Sequence, residues 1–210
     1  MSRVLQIAGL AAGLIGLVLQ FFITIPMSMD AGRSLPGSVV FYFSFFTILT
    51  NIAAVLVHIS LLSPAGYAWL PAFAGPKVRA GTAVSITLVF VVYVTMLARL
   101  WAPEGLFLVC DILLHYVTPL LFVLWWLLDG ADGSTRWADI PYWMLYPVAY
   151  LVYALARGRI AGEVPYPFLD VATNGVAGVT ISAALVTALF LVLCVLAVLA
   201  DRGISRFRAA

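Results

Sequence analysis

Apolar residues gather along this chain into blocks long enough to cross a hydrocarbon core, separated by short clusters of proline, glycine and charge. The first block runs from Val4 to Ile25 and is expected to stop at Pro26. Ser28 to Ser38 holds Asp30, Gly32, Arg33, Pro36 and Gly37 and reads as a surface loop. The second block covers Val39 to Leu62, ending at the turn Ser63-Pro64-Ala65-Gly66. Lys77 and Arg79 introduce a third, Ala80 to Leu100, and the turn Trp101 to Gly105 leads into a fourth, Leu106 to Leu128. Beyond a polar loop from Asp129 to Asp139 lies a short aromatic block, Ile140 to Ala156, in which Pro147 predicts a bend or an interruption. Arg157 to Gly175 contains Pro165-Tyr166-Pro167-Phe168, which cannot be regular helix and is expected to fold against the bundle mouth. Val176 to Ala200 is the sixth block, followed by a tail carrying Arg202, Arg206 and Arg208.

Strands that cross a membrane alternate apolar and polar residues, whereas these blocks are continuously apolar. At 1.5 Å per residue, roughly 20 helical residues cross a core of about 30 Å. The pattern therefore predicts an all-α, polytopic membrane helix bundle of six transmembrane helices, forming one domain over residues 1–210. The N-terminal block superficially resembles a signal peptide. Its apolar run is longer than a usual signal core and no clear small-x-small site follows, so a retained helix is expected.

Composition strengthens this reading. Of 210 residues, 64% are hydrophobic and 10% charged, too few charges to coat a water-soluble globule of this size. Basic residues divide unevenly between the ends of the predicted spans. Arg3, Lys77, Arg79, Arg136, Arg202, Arg206 and Arg208 fall on one side, and Arg33, Arg99, Arg157 and Arg159 on the other, so both termini are expected to be cytoplasmic. A formal charge of +2, spread over loops and tail, lacks the clustered electropositive surface of a nucleic-acid binder. Cys110 and Cys194 lack metal-site spacing and read as small buried hydrophobes. No cofactor and no metal are expected. Trp101, Trp125, Trp126, Trp137, Trp143 and Tyr142 fall near span ends and read as an interfacial belt, with His58 also at an interface.

Polar groups inside the blocks hold the candidate chemistry, because ionisable residues at membrane depth normally face the bundle interior. Asp111 and His115 are four residues apart on one helix face, where the carboxylate could fix the imidazole tautomer. Ser44, Thr47 and Asn51 share a face of the second block, with Thr50 nearby; such residues also commonly join helices by hydrogen bonds. In straight helices, Thr47 and His115 would lie at similar depth, roughly 12 to 14 Å below the outer interface. A threonine hydroxyl attacking an acyl carbon needs a base within hydrogen-bond reach, and an oxyanion donor such as Asn51 or a loop amide.

Three segments, Phe46-Thr47-Ile48-Leu49-Thr50-Asn51, Leu114-His115-Tyr116-Val117-Thr118-Pro119 and Tyr166-Pro167-Phe168-Leu169-Asp170, occur in that order. In order and spacing they resemble the androgen-induced protein and androgen-dependent TFPI-regulating protein family of multi-pass membrane proteins, over about residues 39–199. That family has a bacterial branch of small membrane proteins. Its animal members are threonine hydrolases that cleave fatty-acid esters of hydroxy fatty acids. The animal pattern has an acidic residue where this chain has Thr50 and a histidine-to-proline spacing one residue longer than His115 to Pro119.

The resemblance implies Thr47 as nucleophile, His115 as its partner, and a fatty-acyl ester substrate drawn from membrane lipids; by its four-residue spacing Asp111 would orient the imidazole. It implies a multi-pass protein of a cell membrane, the bacterial inner membrane for that branch. Ser44, Thr50, Asn51, Tyr166 and Asp170 are the substrate-binding or oxyanion candidates, the last two on a loop expected to cap the outer mouth. Two other functions fit the residues alone: a non-catalytic lipid-binding or assembly protein, and a small proton-coupled transporter using Asp111 and His115.

Overall fold

The computed structural model describes residues 2–63 and 71–209, so most of the turn expected at Ser63-Pro64-Ala65-Gly66 lies outside the described residues. Within them all regular secondary structure is helical. Helix α1 spans Ser2–Asp30, α2 Leu35–Phe43, α3 Phe46–Leu62, and the single turn α4 Pro71–Ala74. Helix α5, Pro76–Val92, passes directly into a π-helical turn, Tyr93–Leu97. Helices α6, Gly105–Ile112, and α7, Thr118–Trp125, are joined by a second π-helical turn, Leu113–Val117, and a third follows at Trp126–Gly130. Helix α8 is Ile140–Ala161 and α9 is Val171–Ala209, kinked at Gly175.

Four of these continuous stretches, Ser2–Asp30, Pro76–Leu97, Gly105–Gly130 and Val171–Arg208, are long and apolar enough to cross a membrane. The pair α2 and α3, bent by 73°, makes a fifth if counted together. Large apolar side chains cover the outside of the bundle, among them Phe22, Ile181 and Leu185, each more than 60% exposed. A water-soluble monomer rarely shows so much contiguous apolar surface. The chain has the build of a multi-pass membrane protein.

Several boundaries differ from the sequence expectation. Helix α1 continues through Pro26 to Asp30. Pro26 and Phe22, whose carbonyl loses its partner, both face outward, where a helix best tolerates a missing hydrogen bond. The expected single helix from Val39 to Leu62 is broken at Ser44 and Phe45. Helix α8 runs through Pro147 without interruption and on to Ala161, and α9 extends through the basic tail.

Helix α1 packs against α3 and the α6–α7 segment through its glycines. A Cβ on Gly9 would approach within 2.8 Å of His58 Nε2, and one on Gly13 within 2.7 Å of Val55 Cγ2. Small residues at this spacing let membrane helices approach closely. His58 is therefore fully buried, between Phe122 and Trp125, and not at an interface. Trp125, Trp126 and Trp143 are likewise in the core, leaving Trp101, Trp137 and Tyr142 exposed.

Ion pairs between acidic and basic side chains sort to the two ends of α8. At one end Arg79 pairs with Asp132 at 2.6 Å, Lys77 with Asp139 at 2.9 Å, and Asp201 accepts the Thr135 amide and hydroxyl. At the other end Glu163 bridges Arg33 and Arg157, at 2.8 and 2.7 Å. Helix α8 runs from one of these clusters to the other. Its tyrosines reach α3 and the C-terminal end of α2: Tyr146 to the Thr50 hydroxyl, Tyr150 to the Ser44 carbonyl, and Tyr153 to the Ser44 hydroxyl.

Candidate functional site

The break before α3 creates the first half of the site. Ser44 turns its hydroxyl back to the Val40 carbonyl and contacts the Tyr153 hydroxyl at 2.6 Å, so it ends α2. Phe45 then adopts an extended conformation and offers α3 no side-chain cap. The first amides of a helix have no intrahelical acceptor. Thr47 lies in that first turn, and its amide donates to the Tyr166 hydroxyl at 3.2 Å. The same phenol lies 3.3 Å from Thr47 Oγ1. Thr47 itself is buried.

Proline builds the second half. Pro119 has no N–H for the carbonyl four residues earlier, which belongs to His115, and its ring crowds that carbonyl. The chain responds with the π-helical turn Leu113–Val117, and His115 sits at its centre. Such turns displace side chains from regular helical positions and are frequent at functional sites. His115 Nδ1 faces the Asp111 backbone carbonyl at 3.2 Å, with the Asp111 carboxylate Oδ1 3.1 Å away but poorly aligned for a hydrogen bond. Either contact favours a proton on Nδ1 and leaves Nε2 basic. The imidazole stacks on Tyr93, ring centres 3.8 Å apart and 12° from parallel. Tyr93 lies in the other π-helical turn, and its hydroxyl accepts from Trp101 Nε1 at 3.3 Å.

The two halves face one cavity of about 420 Å³, lined by Thr47, His115, Tyr93 and Tyr166, with Gln20 and Thr24 from α1. Pro165, Tyr166 and Pro167 lie along its wall, and the remaining lining is mostly apolar, including Met27, Phe41, Leu100 and Phe107. No direct hydrogen bond joins Thr47 to His115. A smaller chamber of about 80 Å³, between α5, α8 and α9, shares Thr47, Tyr93 and Tyr166 as lining.

The remaining candidates have other partners. Asn51 Nδ2 donates to the Thr47 carbonyl at 2.8 Å and to the Leu114 carbonyl at 3.1 Å, so both its protons are committed. Thr50 faces Tyr146 and lines a separate cavity with Lys77 and Trp143. Asp170 accepts from the Ala172 amide and the Thr173 hydroxyl, starting α9, and does not line the Thr47 cavity. Burial pushes the Tyr166 phenol above its ordinary pKa, although hydrogen bonds with Thr47 pull the other way, so it stays a proton donor. Among the described residues no three His, Cys, Asp or Glu side chains are grouped to hold a metal ion.

Gln20, Thr24 and Tyr93 are part of this cavity and were not singled out from the sequence. Gln20 and Thr24 carried a usable signal: polar residues four apart inside the first apolar block, hydrogen-bonded at 2.7 Å. Tyr93 carried none, being one aromatic among many. No family model, curated protein or solved structure matches the chain.

Proposed function

We propose that the protein is an intramembrane hydrolase of lipid fatty-acyl esters, with Thr47 as nucleophile and His115 as general base. The observation that carries this reading is that a buried hydroxyl and an imidazole, from helices far apart in sequence, line one largely apolar cavity. An acyl chain is accommodated by the apolar wall while its ester bond meets the polar groups. Thr47 Oγ attacks the ester carbonyl carbon as His115 Nε2 takes its proton, and collapse releases the alcohol, protonated by His115. Water activated by the same imidazole then cleaves the acyl-threonine.

The accompanying topology is six spans with both termini cytoplasmic, in a cell membrane and, by the resemblance noted above, a bacterial inner membrane. Helix α8, the fifth span in chain order, brings the number of spans to six. Its 22 residues extend about 33 Å, matching a hydrocarbon core of roughly 30 Å. Its tyrosine hydroxyls are engaged with α3 and Ser44, while Leu145 and Val152 point outward.

The test is turnover of a panel of long-chain acyl esters by purified protein in proteoliposomes. Release of free acid that disappears in folded Thr47→Ala and falls by about 10²–10⁴-fold in His115→Ala supports the assignment. Folded wild-type protein that cleaves none of the panel counts against it.

A further inference from the structure

We propose that Tyr166 donates the hydrogen bond that stabilises the anion formed during this hydrolysis, together with the backbone amide of Thr47. The inference rests on the hydrolase reading above. An attacked ester carbonyl develops negative charge on oxygen, and that oxygen must meet preorganised donors close to the nucleophile. Two donors lie beside Thr47 Oγ1: its own amide and the Tyr166 phenol, at 3.2 Å from each other. The alternatives are spent. Asn51 has given both amide protons to backbone carbonyls, Ser44 donates to Val40, and Thr50 opens on another cavity.

The resting contact has the right polarity. The Thr47 amide donates to the Tyr166 oxygen, so an incoming acyl oxygen meets both donors by inserting between them. With its oxygen accepting there, the phenol keeps its own proton free to donate toward Thr47 Oγ1 or an incoming carbonyl. The ring is held by stacking on Phe168, 5.5 Å between centres and 5° from parallel, and by an edge contact with Phe45. The segment that carries it is bounded by Gly162 and Gly175, both at φ 67°, a left-handed conformation that suits glycine.

In the step, the new bond joins Thr47 Oγ to the carbonyl carbon, and the carbonyl π pair moves to its oxygen. That oxygen accepts from the Thr47 N–H and the Tyr166 O–H, while the Thr47 proton passes to His115. When the C=O bond re-forms, the alcohol oxygen leaves and takes that proton from His115. Tyr166 loses no proton at any stage.

The experiment is Tyr166→Phe, which keeps the ring contacts, compared with wild type for ester turnover and for binding of an acyl trifluoromethyl ketone that forms a hemiketal with Thr47. Loss of one such donor is expected to lower kcat by about 10²–10³-fold with little change in KM, and to weaken the ketone by a similar factor. Turnover and ketone binding within about threefold of wild type overturn the role of Tyr166 and leave the hydrolase reading intact. Wild-type protein that is folded but shows neither Thr47-dependent turnover nor ketone binding overturns both. If Tyr166→Phe does not fold, 3,5-difluorotyrosine at position 166 preserves shape; a pH–rate profile unaltered by its more acidic phenol then refutes the assignment.

Discussion

The side-chain amide of Asn51 donates to the carbonyl of Leu114 at 3.1 Å, tying α3 to the π-helical turn that carries His115. Its other proton goes to the carbonyl of Thr47 at 2.8 Å. One side chain thus touches the backbone of the candidate nucleophile and the residue next to the candidate base. It fixes how the two helices slide past each other, and with them the facing of hydroxyl and imidazole across the cavity.

Replacing Asn51 with Leu should leave the buried Leu114 carbonyl without this donor, while the Thr47 carbonyl keeps its helical partner, the residue-51 amide. A cost of about 1–3 kcal/mol is expected for such a loss, read as a lowered midpoint of thermal unfolding in detergent. Turnover should fall as well, because the register between α3 and the turn relaxes. An Asn51→Leu protein with unchanged unfolding midpoint and unchanged turnover would show that the tie is dispensable.

Close packing along α1 predicts a second stability effect. A side chain larger than hydrogen at Gly13 must displace Val55 and crowd Thr118. Gly13→Leu is expected to destabilise by roughly 1–3 kcal/mol through overpacking, whereas Gly203→Ala, facing open space, should be close to neutral. Unfolding of both variants in the same detergent checks the contrast.

Glu163 offers a test by pH. Burial pushes its carboxyl up, but hydrogen bonds and charge from Arg33 and Arg157 outweigh this and hold it below the usual carboxylate range. The contribution of this clasp is therefore complete above the unfolded pKa, about 4.3, and is lost as pH falls through the depressed folded value. Hydrogen exchange in residues 164–170, corrected for intrinsic rates, should stay protected from pH 7 to 5 and rise only at lower pH. In Glu163→Gln the same segment should exchange faster already at pH 7. Equal protection in both proteins at neutral pH would contradict the role given to the clasp.

The helical class and the long apolar segments were legible in the sequence because a hydrocarbon core demands continuous apolar runs, and such runs leave little choice of structure. The break at Ser44 and Phe45 was not. No glycine or proline marks it, and it depends on Tyr150 and Tyr153, about a hundred positions later, which contact Ser44. Depth reckoned along an unbroken helix consequently does not apply to Thr47, which stands in a first helical turn. The π-helical turn at His115 had a visible cause in Pro119, yet proline position alone does not say whether a helix kinks, stops or widens. Tyrosines and tryptophans misled in the other direction. Position near a span end suggested an interface for Trp125, Trp126 and Trp143, but tertiary packing buries them.

Tyr93 bears on the imidazole by stacking against its face. Its ring limits rotation of His115, so Tyr93→Leu should lower kcat by about tenfold while KM changes little, as expected for lost orientation of a general base. The conservative Tyr93→Phe keeps the stack and should recover most of the rate. Equal rates in Tyr93→Leu and wild type would remove the stack from the account.

The most direct measurement is covalent labelling of the purified protein in lipid nanodiscs by a long-chain alkyl fluorophosphonate, with the adduct mapped by peptide mass spectrometry. The account predicts a single adduct on Thr47, retained in Thr47→Ser, absent in Thr47→Ala, and slowed by about 10²-fold or more in His115→Ala. Folded wild-type protein that takes no label, or takes it on a residue other than Thr47, would contradict it.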